Sequence, residues 1–268
     1  MAAKLLIIDP QNDFCDIPNA ALPVSGASQD VLRTAAFLET AGAHLEDLIV
    51  TLDSHPTVAI ERTTFWRTGN GEEVSAFTEV TEADVRSGRY VPRNESLTAK
   101  VTAYLHALEA GGRYRLMIWP VHCVVGTWGH NIHPNLAAQI ARWETSRQRG
   151  CFKVLKGMNP MTEQYSAVRA EVPRDDDPRT HNNRELIERT RPGEGWLFVA
   201  GEAASHCVAA TLMHLFEQMS VAERSRVAIL RDCMSAVSGF EAHAARFFEQ
   251  AASLGASVIT HDEAMQLL

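Results

Sequence analysis

Apolar residues along this chain gather in short runs, each closed by a turn or by a stretch with helical spacing. Six runs stand out: Lys4 to Asp9, Asp47 to Thr51, Arg115 to Trp119, Trp196 to Ala200, Arg226 to Leu230 and Ala256 to Thr260. They are nearly continuous in Leu, Ile and Val, which is the pattern of a parallel strand covered on both faces. Between them lie helix-like segments, Asp30 to Ala41, Leu97 to Glu109, Leu136 to Ser146, Cys207 to Met219 and Glu241 to Leu254. Alternation of this kind predicts right-handed crossovers and an α/β fold: three α/β/α layers around a mostly parallel six-stranded sheet with helices on both faces. In such sheets chemistry collects beyond the carboxyl ends of the strands. Two stretches, Thr68 to Arg93 and Glu171 to Gly195, are rich in charge, Gly and Pro and break the rhythm. They read as surface excursions, serving as lids or as contacts in a homo-oligomer.

The totals narrow the picture. A chain of 268 residues, 46% hydrophobic, can bury one large core, so residues 1–268 are read as a single domain. The net charge of -8 comes from 33 acidic against 25 basic residues and argues against nucleic acid as a partner, because phosphate neutralisation needs clustered Lys and Arg. Cys15, Cys123, Cys151, Cys207 and Cys233 are odd in number and scattered, which is no disulfide framework, and no cationic, apolar leader precedes the first run. A reducing cytoplasm is the expected setting. No apolar run approaches the roughly 20 residues of a bilayer-spanning helix, so no membrane role is expected.

The strand ends carry the candidate chemistry. Asp9 closes the first run, Asp53 and His55 follow the second, His122 lies beyond the third, and Cys207 follows the turn Gly201 to His206 after the fourth. Cys207 falls where a helix should begin, and the peptide dipoles there favour a thiolate. A buried structural thiol is the alternative, and it is the reading for the other four cysteines. A thiol nucleophile needs a proton acceptor, for which Asp9 is placed, and a nearby positive charge, which Lys156 supplies. Taken singly, Asp9 also reads as a turn former and Lys156 as a surface lysine.

Three segments make the pattern specific. Leu5 to Phe14 (LLIIDPQNDF), Val154 to Ala167 (VLKGMNPMTEQYSA) and Gly201 to Thr211 (GEAASHCVAAT) resemble the segments that carry the catalytic aspartate, lysine and cysteine of the isochorismatase-like cysteine hydrolases. The resemblance spans the core from end to end. It implies Asp9, Lys156 and Cys207 as the catalytic residues, a cis peptide joining Ala203 to Ala204, and an oxyanion hole formed by the amides of Ala204 and Cys207. Pro10 after the aspartate, and Ser205 and His206 before the cysteine, depart from the usual pattern.

Two further segments select a branch. Asp53 to Pro56 and Trp119 to Thr127 (WPVHCVVGT) look like the metal-binding motifs of nicotinamidases, also known as pyrazinamidases. The resemblance implies a divalent metal held by Asp53, His55 and His122, with Zn the expected ion and Fe or Mn the alternatives. No organic cofactor is implied. Glu61 stands where some relatives place a fourth ligand, with an exposed salt bridge to Arg62 as its ordinary reading. Phe14, Trp119 and Tyr165 match positions that pack around a planar ring, although each also reads as core. The activity implied is hydrolysis of nicotinamide, or a similar small heteroaromatic carboxamide, to the acid and ammonia through a thioester. The rivals are a related hydrolase acting on a carbamoyl or ureido compound or a vinyl ether, and a noncatalytic binding protein on the same fold.

Overall fold

A computed structural model describes residues 3–268. Among these residues there are ten strands: β1 Ala3–Ile8, β2 Leu45–Asp53, β3 Trp66–Thr68, β4 Thr78–Val80, β5 Tyr90–Pro92, β6 Leu116–Ile118, β7 Phe152–Lys156, β8 Leu197–Gly201, β9 Val227–Leu230 and β10 Ser257–Ile259. The main helices are α1 Ala27–Ala41, α2 Glu82–Arg86, α3 Thr98–Gly111, α4 Pro134–Arg147, α5 Arg184–Arg189, α6 Cys207–Glu217, α7 Val221–Arg224 and α8 Glu241–Ser253, with the short α9 His261–Ala264 at the end. No helix among the described residues is long and apolar enough to cross a membrane.

Six strands form one all-parallel sheet in the order β10-β9-β8-β1-β2-β7. Alternate residues of its central strands feed two separate cores. Leu6, Ile8, Ile49, Leu197, Val199 and Ile229 face the layer that contains α6 and α8. Leu5, Ile7, Leu48, Val50, Phe198 and Leu230 face the layer that contains α1 and α4. Both faces are therefore covered, which is why these strands are continuous in apolar residues and carry no polar alternation. The strand order reverses between β1 and β8. A crevice opens there at the carboxyl ends, and ligands of open α/β sheets occupy such crevices.

Two expectations need correction. The run Arg115 to Trp119 does form a strand, β6, but it pairs antiparallel with β4 in a separate two-stranded ribbon. The sixth place in the main sheet belongs to β7, whose outer position leaves Lys153 and Leu155 exposed and interrupts the apolar signal. The stretch Thr68 to Arg93 is also more than a surface excursion: Val74, Val80 and Val85 are buried with Trp66, Val101, Leu105 and Ile118 in a third cluster of their own. In the other irregular stretch, Asn183 caps α5 by accepting the Leu186 N–H, and Leu186 and Ile187 join the first core.

Candidate active site

The first strand releases its side chains at Asp9, which adopts a left-handed backbone, φ 46. Such a conformation is uncommon for a residue other than glycine and is held here by its partners. The Asp9 N–H donates to the Thr51 carbonyl at 3.1 Å, and Thr51 Oγ1 donates to Asp9 Oδ1 at 2.5 Å. Parallel register then sets Asp53 at the end of β2 beside Lys156 at the end of β7. The Lys156 ammonium, fully buried, lies 2.7 Å from Asp53 Oδ1 and 2.9 Å from Asp9 Oδ2, and it donates to Cys207 Sγ at 3.4 Å. Burial opposes the charge, but Asp53 and Asp9 outweigh it and hold the ammonium protonated well above its ordinary range.

The thiol arrives from the other side of the crevice. Gly201 ends β8 with φ +123, and a Cβ there would sit 2.0 Å from the Ile8 carbonyl oxygen. Only glycine allows β8 to pass so close to β1 before the chain turns into α6. Cys207 is the first residue of that helix and is buried, with its thiol accepting from the same Lys156 ammonium that meets Asp9. Burial pushes the thiol well above its ordinary pKa, Lys156 opposes, and Asp9 and Asp53 add to the rise. Desolvation thus outweighs the helix amino terminus, and the resting form is a thiol facing a base. Burial also raises Asp9, with Lys156 opposing and Asp53 reinforcing, which brings this carboxyl nearer neutrality.

Two details of the turn differ from expectation. The cis peptide joins Glu202 to Ala203, one residue earlier than the resemblance implied. The Ala204 N–H is already spent on the Ser235 carbonyl at 2.8 Å and is not free for an oxyanion. Among the described residues, no acceptor takes the N–H of Ala203 or of Cys207.

Beside Lys156, the side chains of Asp53, His55 and His122 each offer one ligand atom, all within 4.8 Å of one another and all buried. His55 Nε2 lies 2.8 Å from Asp53 Oδ1, and His122 Nε2 lies 3.3 Å from Asp53 Oδ2. One carboxylate and two imidazoles converging through the same ring nitrogen make a donor set suited to Zn, Fe or Mn. Burial and the neighbouring Arg62 hold His122 down at about 4, so it is a neutral, ligand-ready imidazole. Gly157 is fitted to the cluster, since a Cβ on it would meet His55 Cε1 at 2.5 Å.

Glu61 stands apart from the three. It is buried rather than exposed, 3.0 Å from His55 Nδ1 and 3.3 Å from Arg62 Nε, and neither contact is aligned as a hydrogen bond. Its carboxylate meets the ring nitrogen of His55 that faces away from Asp53, the position of a group that orients a ligand.

The pocket over these groups is lined by Phe14, Trp119, Tyr165, His206, Ala203 and Cys207, with Asp53, His55 and His122 at its floor. Trp119 Nε1 donates to the Tyr165 hydroxyl at 3.0 Å, and Phe14 meets the His122 ring edge-on at 5.3 Å between centroids. The three aromatics named from sequence therefore share one cavity.

Several members carry no site role in the sequence reading. Gln11 clamps Asp53, accepting its N–H at 2.7 Å and donating to its carbonyl at 2.8 Å. Arg62 is wholly buried against His122, and Glu163 is a pocket-wall carboxyl pushed up to about 8 by burial and by Glu61. His206 packs between Trp119, Tyr165 and Phe240 with centroids 5.2, 5.4 and 4.7 Å away. Gln11 lay within a quoted motif, but a glutamine beside an aspartate carries no signal of its own. The others become visible only once distant segments are brought together.

No family model and no curated protein matches the sequence. Solved structures do match it over nearly the whole chain. The yeast nicotinamidase aligns with 96% of this chain and 99% of its own at 20% identity and a TM-score of 0.64. The pyrazinamidase of Pyrococcus horikoshii, solved in complex with zinc, aligns with 97% of this chain and 99% of its own at 16% identity and a TM-score of 0.54. An isochorismatase family protein from Desulfovibrio vulgaris aligns with 99% of this chain and 97% of its own at 18% identity and a TM-score of 0.53. The fold is isochorismatase-like. At such identities the likeness establishes the architecture, and the case for chemistry rests on the side chains in the crevice.

Proposed function

We propose that this chain is an amidohydrolase that cleaves nicotinamide, or a close heteroaromatic carboxamide, to the carboxylic acid and ammonia through a thioester on Cys207. The observation that carries the reading is the meeting of a buried thiol, a carboxyl and an ammonium beneath an aromatic pocket, with Lys156 Nζ 3.4 Å from Cys207 Sγ and 2.9 Å from Asp9. The names of the yeast and Pyrococcus proteins support it.

Each step assigns one task to a side chain. Asp9 takes the Cys207 proton as the sulfur attacks the carboxamide carbon, and the oxygen charge that develops is met by the N–H groups of Ala203 and Cys207. The protonated Asp9 then gives its proton to the departing nitrogen, the C–N bond breaks, and ammonia leaves a thioester behind. Asp9, again a carboxylate, deprotonates a water that attacks the thioester. Collapse of that intermediate expels the sulfur, which recovers the proton from Asp9 and releases the acid. Lys156 stays charged throughout and stabilises whichever of its neighbours carries the negative charge.

A divalent ion held by Asp53, His55 and His122, with Glu61 orienting His55, would bind a ring nitrogen and so place the carboxamide over the thiol. Phe14, Trp119 and Tyr165 would enclose the ring. The test is ammonia release by Cys207→Ala across nicotinamide, pyrazinamide and ureido compounds. Loss of release in a folded variant supports the scheme, and release at the wild-type rate dismisses it.

A further inference from the structure

Two carboxyl groups outside the pocket remain without a part in this chemistry. Glu202 lies between the end of β8 and Ala203, fully buried, and Asp30 lies on the first turn of α1, 4% exposed. Their carboxyl groups converge. Both also grip Ser235: its hydroxyl donates to Asp30 Oδ2 at 2.5 Å and its N–H donates to Glu202 Oε2 at 3.3 Å. The Ser235 carbonyl in turn accepts the Ala204 N–H at 2.8 Å, and the Glu202 N–H donates to the Ile8 carbonyl, one residue before Asp9, at 2.8 Å. The second Glu202 oxygen, Oε1, is buried with no donor from the protein.

Charge decides the protonation of this pair. The cation facing it is Arg33, 3.1 Å from Asp30 Oδ1 and 41% exposed in its side chain. Asp16, which accepts from the N–H groups of Gly26 and Ser28, adds negative charge nearby. Cys15 and Cys233 also face the pair as neutral thiols, both pushed up by burial. Two buried carboxylates in contact with one half-exposed cation cannot both be ionised, and a single proton between them satisfies the orphaned oxygen.

We propose that Glu202 and Asp30 share one proton, and that the resulting acid-carboxylate pair is a positioning device that fixes the nucleophile turn and aims the Ala203 N–H at the substrate oxygen. Burial and the adjacent Asp30 push Glu202 well above the usual carboxylate range, in keeping with Glu202 as the protonated partner. Burial raises Asp30 as well, with Ser235 opposing. At alkaline pH the shared proton is lost, two like charges repel beneath the turn, and Ala203 is released from its place.

The proposal rests on the amidase reading, and the test separates the two. Glu202→Gln keeps a donor toward Asp30 and an acceptor for the Ser235 N–H, whereas Glu202→Leu keeps neither. In the purified full-length protein with its metal, kcat for nicotinamide at pH 7 should fall about 10- to 100-fold in Glu202→Leu, less than for outright loss of an oxyanion donor. KM should stay within about threefold, because the ground-state contacts are untouched. Glu202→Gln should stay near wild type at pH 7 and lack the part of the alkaline decline that the pair causes. Carbon-13 carboxyl spectra should show a protonated glutamic acid at pH 7 that is absent from Glu202→Gln. A carboxylate-type signal for Glu202 at pH 7, or equal kcat in the Leu and Gln variants, would overturn the proposal. If the wild type releases no ammonia, the amidase reading fails by itself and the spectra decide the pair. An Ala203 amide resonance displaced in the Leu variant but not in the Gln variant then supports the positioning role, and one unmoved in both refutes it.

Discussion

Replacing Lys156 by Met puts a neutral chain of similar length where an ammonium now bridges two carboxylates. The Lys156 side chain is 1% exposed, and its Nζ lies 2.7 Å from Asp53 and 2.9 Å from Asp9. Removing one partner of a buried ion pair costs about 3 to 5 kcal/mol, because the charge left behind has lost its water and gained nothing in return. Here two carboxylates are left, and protonation of one of them keeps the loss within that range. At about 2 to 4 °C per kcal/mol for a chain of this size, melting should fall by roughly 6 to 20 °C. Lys153, two residues earlier on the same strand, supplies the control. Its pair with Glu144 is 3.4 Å long with both side chains substantially exposed, and Lys153→Met should change stability by less than about 1 kcal/mol. Calorimetry of both variants at pH 7.5 reads the difference, and turnover of Lys156→Met should fall about a thousandfold as Asp9 and the thiol lose their counter-charge. A Lys156→Met variant that melts with the wild type and still turns over would refute the reasoning.

Other consequences can be checked independently. His122→Ala should lose stoichiometric metal as measured by atomic emission, and melting should fall as well because the bound ion no longer stabilises the fold and the buried Arg62 loses its partner; full metal content in that variant would remove His122 from the ligand set. Gly201→Ala forces a Cβ to within 2.0 Å of the Ile8 carbonyl at a φ of +123, and it should lower melting by several degrees or abolish soluble expression, read by thermal denaturation. Glu171 is pushed up to about 7 by burial, with Arg113 and Arg169 opposing. The folded state therefore holds this proton more tightly than the unfolded chain, and the group costs stability progressively as pH rises from its unfolded value near 4.5 to about 7. Glu171→Gln should remove that slope and raise stability at pH 8 by about 3 kcal/mol, measured by urea denaturation across pH.

Much of this architecture was legible because a parallel sheet writes itself in apolar runs. Leu5 to Ile8 and Leu48 to Leu52 are buried on both faces and could hardly be read otherwise. The strand that was missed, β7, lies at the sheet's edge with Lys153 and Leu155 outward, so half of its signal belongs to solvent. Composition alone places the run around Leu116–Ile118 in the main sheet, because a buried ribbon strand and a buried core strand look the same in sequence; its pairing with Thr78–Val80 depends on a loop whose course no periodicity announces.

In the crevice, Asp9, Asp53, His55, His122 and Cys207 lie at or beyond the ends of strands that the apolar runs announce, which is why strand ends point to them; Lys156 ends β7, an edge strand with no such signal, and only the resemblance of its segment marks it. Ala203 and Ala204 are indistinguishable by side chain. What separates them is the hydrogen bond from Ala204 to Ser235, a residue some 30 positions later. Arg62 and Glu163 gave no hint because their burial follows from the ribbon module and the loop after β7, both irregular in sequence.

The central claim is a covalent bond to one sulfur. Mixing the protein with nicotinamide, quenching in acid within the first turnovers and mapping the digested protein by mass spectrometry tests it directly. The account predicts a nicotinoyl thioester on the Cys207 peptide that decays as nicotinic acid forms. Ammonia release with no acyl group on Cys207, or with the acyl group on another cysteine, would contradict it.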